Sequence, residues 1–201
     1  MKKLFILTIA LMFFGKISAQ SDTTYWEKGG VFGIKFAQTS FTNWAQGGEN
    51  SIALNSNFNL FAKYNKDKIS WESELFADYG TINQGTKGFR KADDRFELVS
   101  KFGYKASKQW NYAALFNFKT QFMDGFKYDD NDSALFTSTF LAPAYLNLSI
   151  GMDYKPNKVI SVFISPITAK FTYVGDTALA NAGAFGLDPA TVDAAGARIS
   201  S

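Results

Sequence analysis

Glu72 and Glu74 stand two residues apart in an alternating stretch, so both carboxylates fall on one strand face. That is the spacing of a pair that could work on a glycosidic bond. Lysines close by, and charges repeated at equivalent places in other segments, favour a structural face over a catalytic pair. Asp124, Asp129, Asp130, Asn131 and Asp132 gather oxygen donors that would suit Ca²⁺. The spacing and the glycine of an EF-hand loop are missing, which favours a solvated surface loop. Gly80-x4-Gly85-Thr86-Lys87 resembles a phosphate-binding loop with Thr and Lys in reverse order and no helix after it. Gly29, Gly30 and Gly33 lead into a strand and not a helix, unlike a dinucleotide fingerprint. The chain has no His and no Cys. Ser-His-Asp and Cys-His catalysis, His-bearing metal sites, disulfides and thiol redox chemistry are all excluded. The expectation is no enzyme, no cofactor and no bound metal.

The elements that carry these residues read at period two from Gly30 onward. In 50–64, Ile52, Leu54, Phe58, Leu60 and Tyr64 share a face opposite Asn55, Asn57, Asn59 and Lys63. The same scheme recurs in 69–79, 94–105, 110–122 and 144–155, with weaker strands at 30–39 and 159–173. Pro166 interrupts the last of these, which makes its second half less secure as a strand. Asn65–Lys68, Ala106–Gln109 and Pro156–Lys158 read as tight polar turns, and 39–49, 80–93 and 123–140 as long loops. The class expected is all-β: an antiparallel up-and-down meander of about seven strands. Parity tests the register. Pairing Tyr64 with Ile69 sets Phe58 against Leu75. An index sum of 173 between the next two strands sets Trp71 against Phe102, Glu72 against Lys101 and Asp78 against Arg95.

Alternation leaves open which medium meets the apolar face. That face holds about thirty side chains, whereas a filled eight-stranded core takes only ~12, so in a barrel these residues point outward. Several segments reach 11 residues or more, the ~9–11 that a bilayer-crossing strand needs. Tyr64, Tyr104 and Tyr154 occupy the last outward position before a short turn, and Trp110 opens the strand after one. They are the candidates for an interfacial aromatic girdle. Glu72, Glu74, Asp78, Arg95, Glu97, Lys101 and Lys119 are then the candidates for a watery lumen.

The N-terminus supplies an address. Lys2-Lys3, the apolar run Leu4 to Phe14 and Ile17-Ser18-Ala19 before Gln20 read as a signal peptide over residues 1–19, cleaved near Ala19. The run is too short to span a bilayer as a helix. The whole chain carries +3, but Lys2, Lys3 and Lys16 leave with the leader, and 18 basic residues then balance 18 acidic ones. Attraction to nucleic acid by bulk charge loses its support, and no nucleic-acid partner is expected. Residues 20–29 read as an N-terminal periplasmic segment, 30–174 as barrel strands, and 175–201 as an Ala/Gly-rich tail or truncated extracellular loop. An exported N-terminus places the short turns on the periplasmic side and the long loops outside. Seven strands do not close a bacterial barrel with an even count, so either the tail hides a strand or, the favoured expectation, the chain continues past Ser201.

Phe41-Thr42-Asn43-Trp44-Ala45-Gln46-Gly47-Gly48-Glu49-Asn50-Ser51, with Trp26 and Gly29-Gly30 before it, resembles the opening of the domain-of-unknown-function 3078 proteins, an uncharacterised bacterial outer-membrane family. Ser165-Pro166-Ile167-Thr168-Ala169-Lys170-Phe171-Thr172 and Gly183-Ala184-Phe185-Gly186 are similar to a later block of that family. The resemblance implies a β-barrel of greater length and transfers no functional residues. The reading is an outer-membrane β-barrel of a Gram-negative bacterium, a channel or transporter for small solutes. Its partners would be outer-membrane lipid, the export and barrel-assembly machinery, and an unknown small solute. The alternatives are an exported soluble β-sandwich binding module, or a surface adhesin using the long loops.

Overall fold

The computed structural model describes residues 25–42, 48–157, 159–189, 191–192 and 198–199. The leader, Asn43–Gly47 of the family-like stretch, Lys158 and part of the tail lie outside the described residues. Among the described residues nine strands of four residues or more follow in chain order: β1 (Trp26–Thr39), β2 (Ser51–Lys66), β3 (Ile69–Gln84), β4 (Phe89–Lys105), β5 (Trp110–Thr120), β6 (Gly125–Tyr128), β7 (Ala134–Ser138), β8 (Ala144–Tyr154) and β9 (Val162–Tyr173). Seven form one antiparallel sheet in the order β1-β2-β3-β4-β5-β8-β9, and β6 pairs only with β7. This is the all-β up-and-down meander that the alternation predicts. The tail adds a short helix, α1 (Thr177–Asn181), capped by the Asp176 carboxylate accepting from the Leu179 N–H.

Alternation puts Phe32, Phe58, Ala77, Phe96, Phe118 and Leu146 on one face, since these are ladder partners or near neighbours along the pairings. The other face carries Asn57, Asp78, Arg95, Glu97 and Asn117. Phe96, Phe118 and Leu146 are half-buried by their neighbours in the sheet, and other large apolar side chains of that face stay open. Phe32, Phe58, Leu60, Trp71 and Phe102 are all exposed, while Asn57, Glu72, Asp78, Glu97 and Lys101 are half-buried. On the polar face Lys101 of β4 reaches Asp153 of β8 across the intervening β5, so the sheet curls with its polar face on the concave side. The close fit of that face shows at Gly29, where an added Cβ would lie 2.6 Å from the Phe61 ring. Among the described residues no large side chain is fully buried. The meander therefore has no hydrophobic core in the ordinary sense.

Several details differ from the sequence reading. The β3–β4 register carries the expected index sum: Trp71 opposes Phe102, Glu72 opposes Lys101 and Asp78 opposes Arg95. The β2–β3 register is two residues away from the expected one. Tyr64 opposes Trp71, Phe58 opposes Ala77 and Lys66 opposes Ile69. The turn closes through Asp67 and Lys68 alone, with Asp67 at φ 52°, the tight two-residue connection that antiparallel strands favour. The stretch 80–93 is not a loop. Gly80–Gln84 extends β3 along Ser51–Asn55, and β4 begins at Phe89, which leaves a short turn through Gly85 and Gly88. The stretch 123–140 holds the β6–β7 hairpin. β1 begins at Trp26 rather than Gly30, because Trp26–Gly29 already pair with Phe61–Tyr64. β9 runs through Pro166 by means of a bulge, where Ile150 opposes Ile167 and Met152 opposes Ile164. A residue without an N–H is tolerated at a bulge on an edge strand. Gly151 faces this bulge so closely that a Cβ there would run into the Ile164 carbonyl oxygen.

Candidate functional site: the charged concave face

The polar face of β3, β4, β5 and β8 assembles two charge clusters. In the first, Arg95 donates to Asp78 Oδ2 through Nε at 2.8 Å and Nη2 at 2.5 Å. Its Nη1 lies 3.5 Å from Glu97 Oε2, and its guanidinium sits 5.0 Å from the Phe76 ring centre. Asn117 donates to Glu97 at 2.7 Å, and Asn147 donates to Asn117 at 3.0 Å. The chain of contacts thus crosses from β3 to β8. Arg95 is the natural centre, because its planar fork satisfies carboxylates on two sides at once.

The second cluster lies nearer the short turns and is built on Asp153. Only 2% of this residue is exposed. It accepts from Lys101 Nζ at 3.0 Å and from Ser161 Oγ at 2.8 Å, and Lys155 Nζ lies 3.2 Å away. Lys155 also reaches Glu72 at 3.8 Å. A buried carboxylate is costly unless paired and hydrogen-bonded, and three donors meet that requirement here. Lys101 reaches over β5 to β8, and Lys155 reaches back to β3. Side chains thus tie strands that are not neighbours, as the concave curl allows.

Of the seven charged candidates, Asp78, Arg95 and Glu97 fall in the first cluster, and Glu72 and Lys101 in the second. Glu72 and Lys101 oppose each other in the ladder, yet each makes its ion pair elsewhere. Glu74 and Lys119 share the face, and neither joins an ion pair among the described residues. Glu72 and Glu74 are therefore not brought together as an acid–base pair. Asp153 and Lys155, the hub and bridge of the second cluster, were missing from the candidates. Asp153 was legible as polar in alternation; only the curl reveals its reach to Lys101.

The four aromatic candidates lie at the turn end of the apolar face. Trp110 packs on Tyr154 with ring centres 4.7 Å apart. Tyr64 packs on Trp26 at 5.0 Å and Tyr25 at 6.2 Å, and Tyr104 opposes Tyr112. Trp71 joins the row 6.4 Å from Trp26 and donates its indole N–H to Ser100. The signal for Trp26, Trp71 and Tyr112 was present in the strand ends, but it needed the correct registers to align.

At the other end the acidic loop spends its carboxylates internally. Asp129 Oδ1 accepts from the N–H groups of Asn131 and Ser133, Asp124 accepts from Thr139, and Asp132 pairs with Arg90. Among the described residues no group of three or more acids could hold a metal ion. Lys91 and Asp94 fasten the base of the hairpin: Lys91 donates to the Met123 carbonyl at 2.7 Å, and Asp94 accepts from the Phe122 and Met123 N–H groups. The phosphate-loop lookalike is the β3–β4 turn, with Lys87 4.0 Å from Glu49.

Fold and site together define a single-sheet antiparallel meander with one apolar face and one ion-paired face. Residues 36–126 match the model of a family described as a protein of unknown function (DUF3078). The match includes Phe41–Ser51 and runs from late β1 to the start of β6; the later family-like blocks fall outside it. No curated protein and no solved structure matches the chain.

Proposed function

We propose that the chain forms the wall of an outer-membrane β-barrel, with the apolar face toward lipid and the ion-paired face toward a lumen that passes or binds small polar solutes. The observation that carries this reading is the convex face itself: long strands of Phe, Leu, Ile and Trp, many of them exposed, with no second layer packed on them among the described residues. In water a patch of that size is an aggregation site, and in hydrocarbon it is the ordinary exterior of a barrel. Height supports the same reading. From Leu54 to Tyr64 on β2 the strand covers about 34 Å, or about 26 Å along the normal at a tilt near 40°, against the ~25 Å apolar band of such barrels. The seven strands of the main sheet are 11–17 residues long, enough to cross and to project beyond. Export through the leader, delivery to the barrel-assembly machinery and contact with outer-membrane lipid belong to this reading.

The test is electrophoretic mobility of the membrane-extracted protein with and without boiling, together with conductance in planar bilayers. A heat-dependent shift and discrete small-solute conductance are expected. A monodisperse detergent-free monomer with no shift would instead identify a soluble β-sandwich, and a shift without conductance would leave a barrel that serves as a surface adhesin.

A further inference from the structure

The three connections at the Tyr64, Tyr104 and Tyr154 ends of the strands carry a charge pattern that the proposed lumen does not use. Lys66 and Lys68 flank Asp67, Lys105 and Lys108 bound the β4–β5 turn, and Lys155 opens the β8–β9 connection, whose sequence also holds Lys158. That is six lysines against one aspartate. The opposite strand ends, in segments 40–50, 85–94, 121–143 and 174–176, hold eight carboxylates against four bases. Charge is thus polarised along the strands. Lys66, Lys68, Lys105 and Lys108 are exposed, and among the described residues none of them pairs with a carboxylate. They converge with Lys155, Ser70 and Asn111 around a shallow cleft of about 370 Å³. The aromatic row lies just above them, and Lys66 Nζ is 4.6 Å from the Tyr25 ring centre.

We propose that the turn end is a phosphate-binding face that selects anionic phospholipid headgroups in the leaflet it meets. This rests on the barrel reading. Aromatic rings fix a membrane protein at headgroup depth, and lysine stems emerging one turn beyond them carry their ammonium groups to the phosphate plane. Four ammonium groups with no carboxylate partner among the described residues repel one another in water and gain counterions at that plane. Zwitterionic headgroups supply phosphate without net charge, so the selection is for anionic lipid, at about fivefold per lysine near the surface. Asn65, Ser70 and Asn111 add neutral hydrogen-bonding groups around the same cleft.

The experiment measures quenching of tryptophan emission by brominated lipid. The full chain carrying Trp44→Phe, so that emission comes from Trp26, Trp71 and Trp110, is reconstituted in vesicles of phosphatidylcholine with one-fifth phosphatidylglycerol, either lipid being brominated. A relative association constant of about ten for phosphatidylglycerol over phosphatidylcholine is expected, falling toward unity in 1 M salt. This enrichment should also be lost in the quadruple variant Lys66→Gln, Lys68→Gln, Lys105→Gln, Lys108→Gln. Heat-dependent gel mobility of the same samples reports the barrel separately. Normal mobility with no enrichment, or enrichment undiminished in the variant, overturns the proposal and leaves the barrel standing. Enrichment abolished by millimolar inorganic phosphate at constant ionic strength would show that the cleft serves a soluble phosphate ligand, which also overturns it. Absence of the mobility shift in both proteins defeats the barrel reading itself.

Discussion

Asp153 is the residue on which the concave face most depends, and Asp153→Asn is the perturbation that tests it. The carboxylate is almost wholly covered and satisfies Lys101, Lys155 and Ser161 at 3.0, 3.2 and 2.8 Å. An amide keeps one oxygen for Ser161 and leaves both ammonium groups without their main counter-charge. Removing one partner of a fully buried pair costs about 3–5 kcal/mol. The Lys101 and Lys155 side chains keep 22% and 34% exposure, so water recovers part of that, and about 2–3 kcal/mol is expected. Urea unfolding of the membrane-reconstituted protein, with the folded fraction read from gel mobility, gives the loss directly. Lys101→Met and the double variant complete a cycle, with a coupling of about 1–2 kcal/mol expected for this pair. The same substitution should raise conductance, because the ties from β4 and β3 across to the end of β8 loosen. A cost below about 0.5 kcal/mol with additive single variants, the level of an ordinary surface substitution, would refute the hub.

Phe58→Arg places a charge in mid-strand on the apolar face and should cost about 2–4 kcal/mol of membrane stability; refolding yield into bilayers measures it, and in a protein whose exposed face meets water the change would be nearly silent. Gly151→Ala drives a Cβ into the Ile164 carbonyl and should open the β8–β9 bulge at a cost of about 2–3 kcal/mol, seen as faster hydrogen exchange confined to β9. Arg95→Lys keeps the charge but loses the fork that joins Asp78 and Glu97, with a loss near 1 kcal/mol expected in the same urea titration. Arg90→Ala removes the ion pair to Asp132 and the guanidinium stacked 3.7 Å from the Tyr128 ring centre, so protease should nick the β6–β7 hairpin while the main sheet keeps its mobility.

Period two is a strong signal for which face a side chain takes and a weak one for its neighbour. A shift of two residues keeps every face assignment, so alternation accepts Phe58 against Leu75 as readily as the observed Phe58 against Ala77. Between β3 and β4 the charges broke that degeneracy: Glu72 with Lys101 and Asp78 with Arg95 fit one register together. Between β2 and β3 one charge pair, Lys63 against Glu72, marks the observed register, and the turn agrees with it, Asp67 taking the left-handed conformation without a glycine to announce it. The extended ends Gly80–Gln84 and Phe89–Asp93 escaped notice for a different reason. They carry no apolar–polar alternation, and backbone pairing alone makes them strands. The β6–β7 hairpin escaped likewise, held by Phe126 against Phe136 at 5.9 Å and by its braces to β4.

The charged candidates were found as a face and missed as a site, and geometry explains the gap. Along one strand, residues two apart share a side; across a ladder, direct partners share a side. Both relations are local and both can be read by counting. Lys101 to Asp153 obeys neither, because it steps over β5, and a flat sheet would hold those backbones about 10 Å apart. Concave curvature shortens that reach, and curvature depends on the two faces preferring different surroundings. The exposed apolar convex side and the ion-paired concave side are therefore one fact seen twice. A medium that accepts the first draws the sheet around the second, and the ties through Asp153 hold it there. The hub and the membrane reading consequently stand together: if Asp153 carries no coupling to Lys101, the curl that turns the apolar face outward loses its principal internal support.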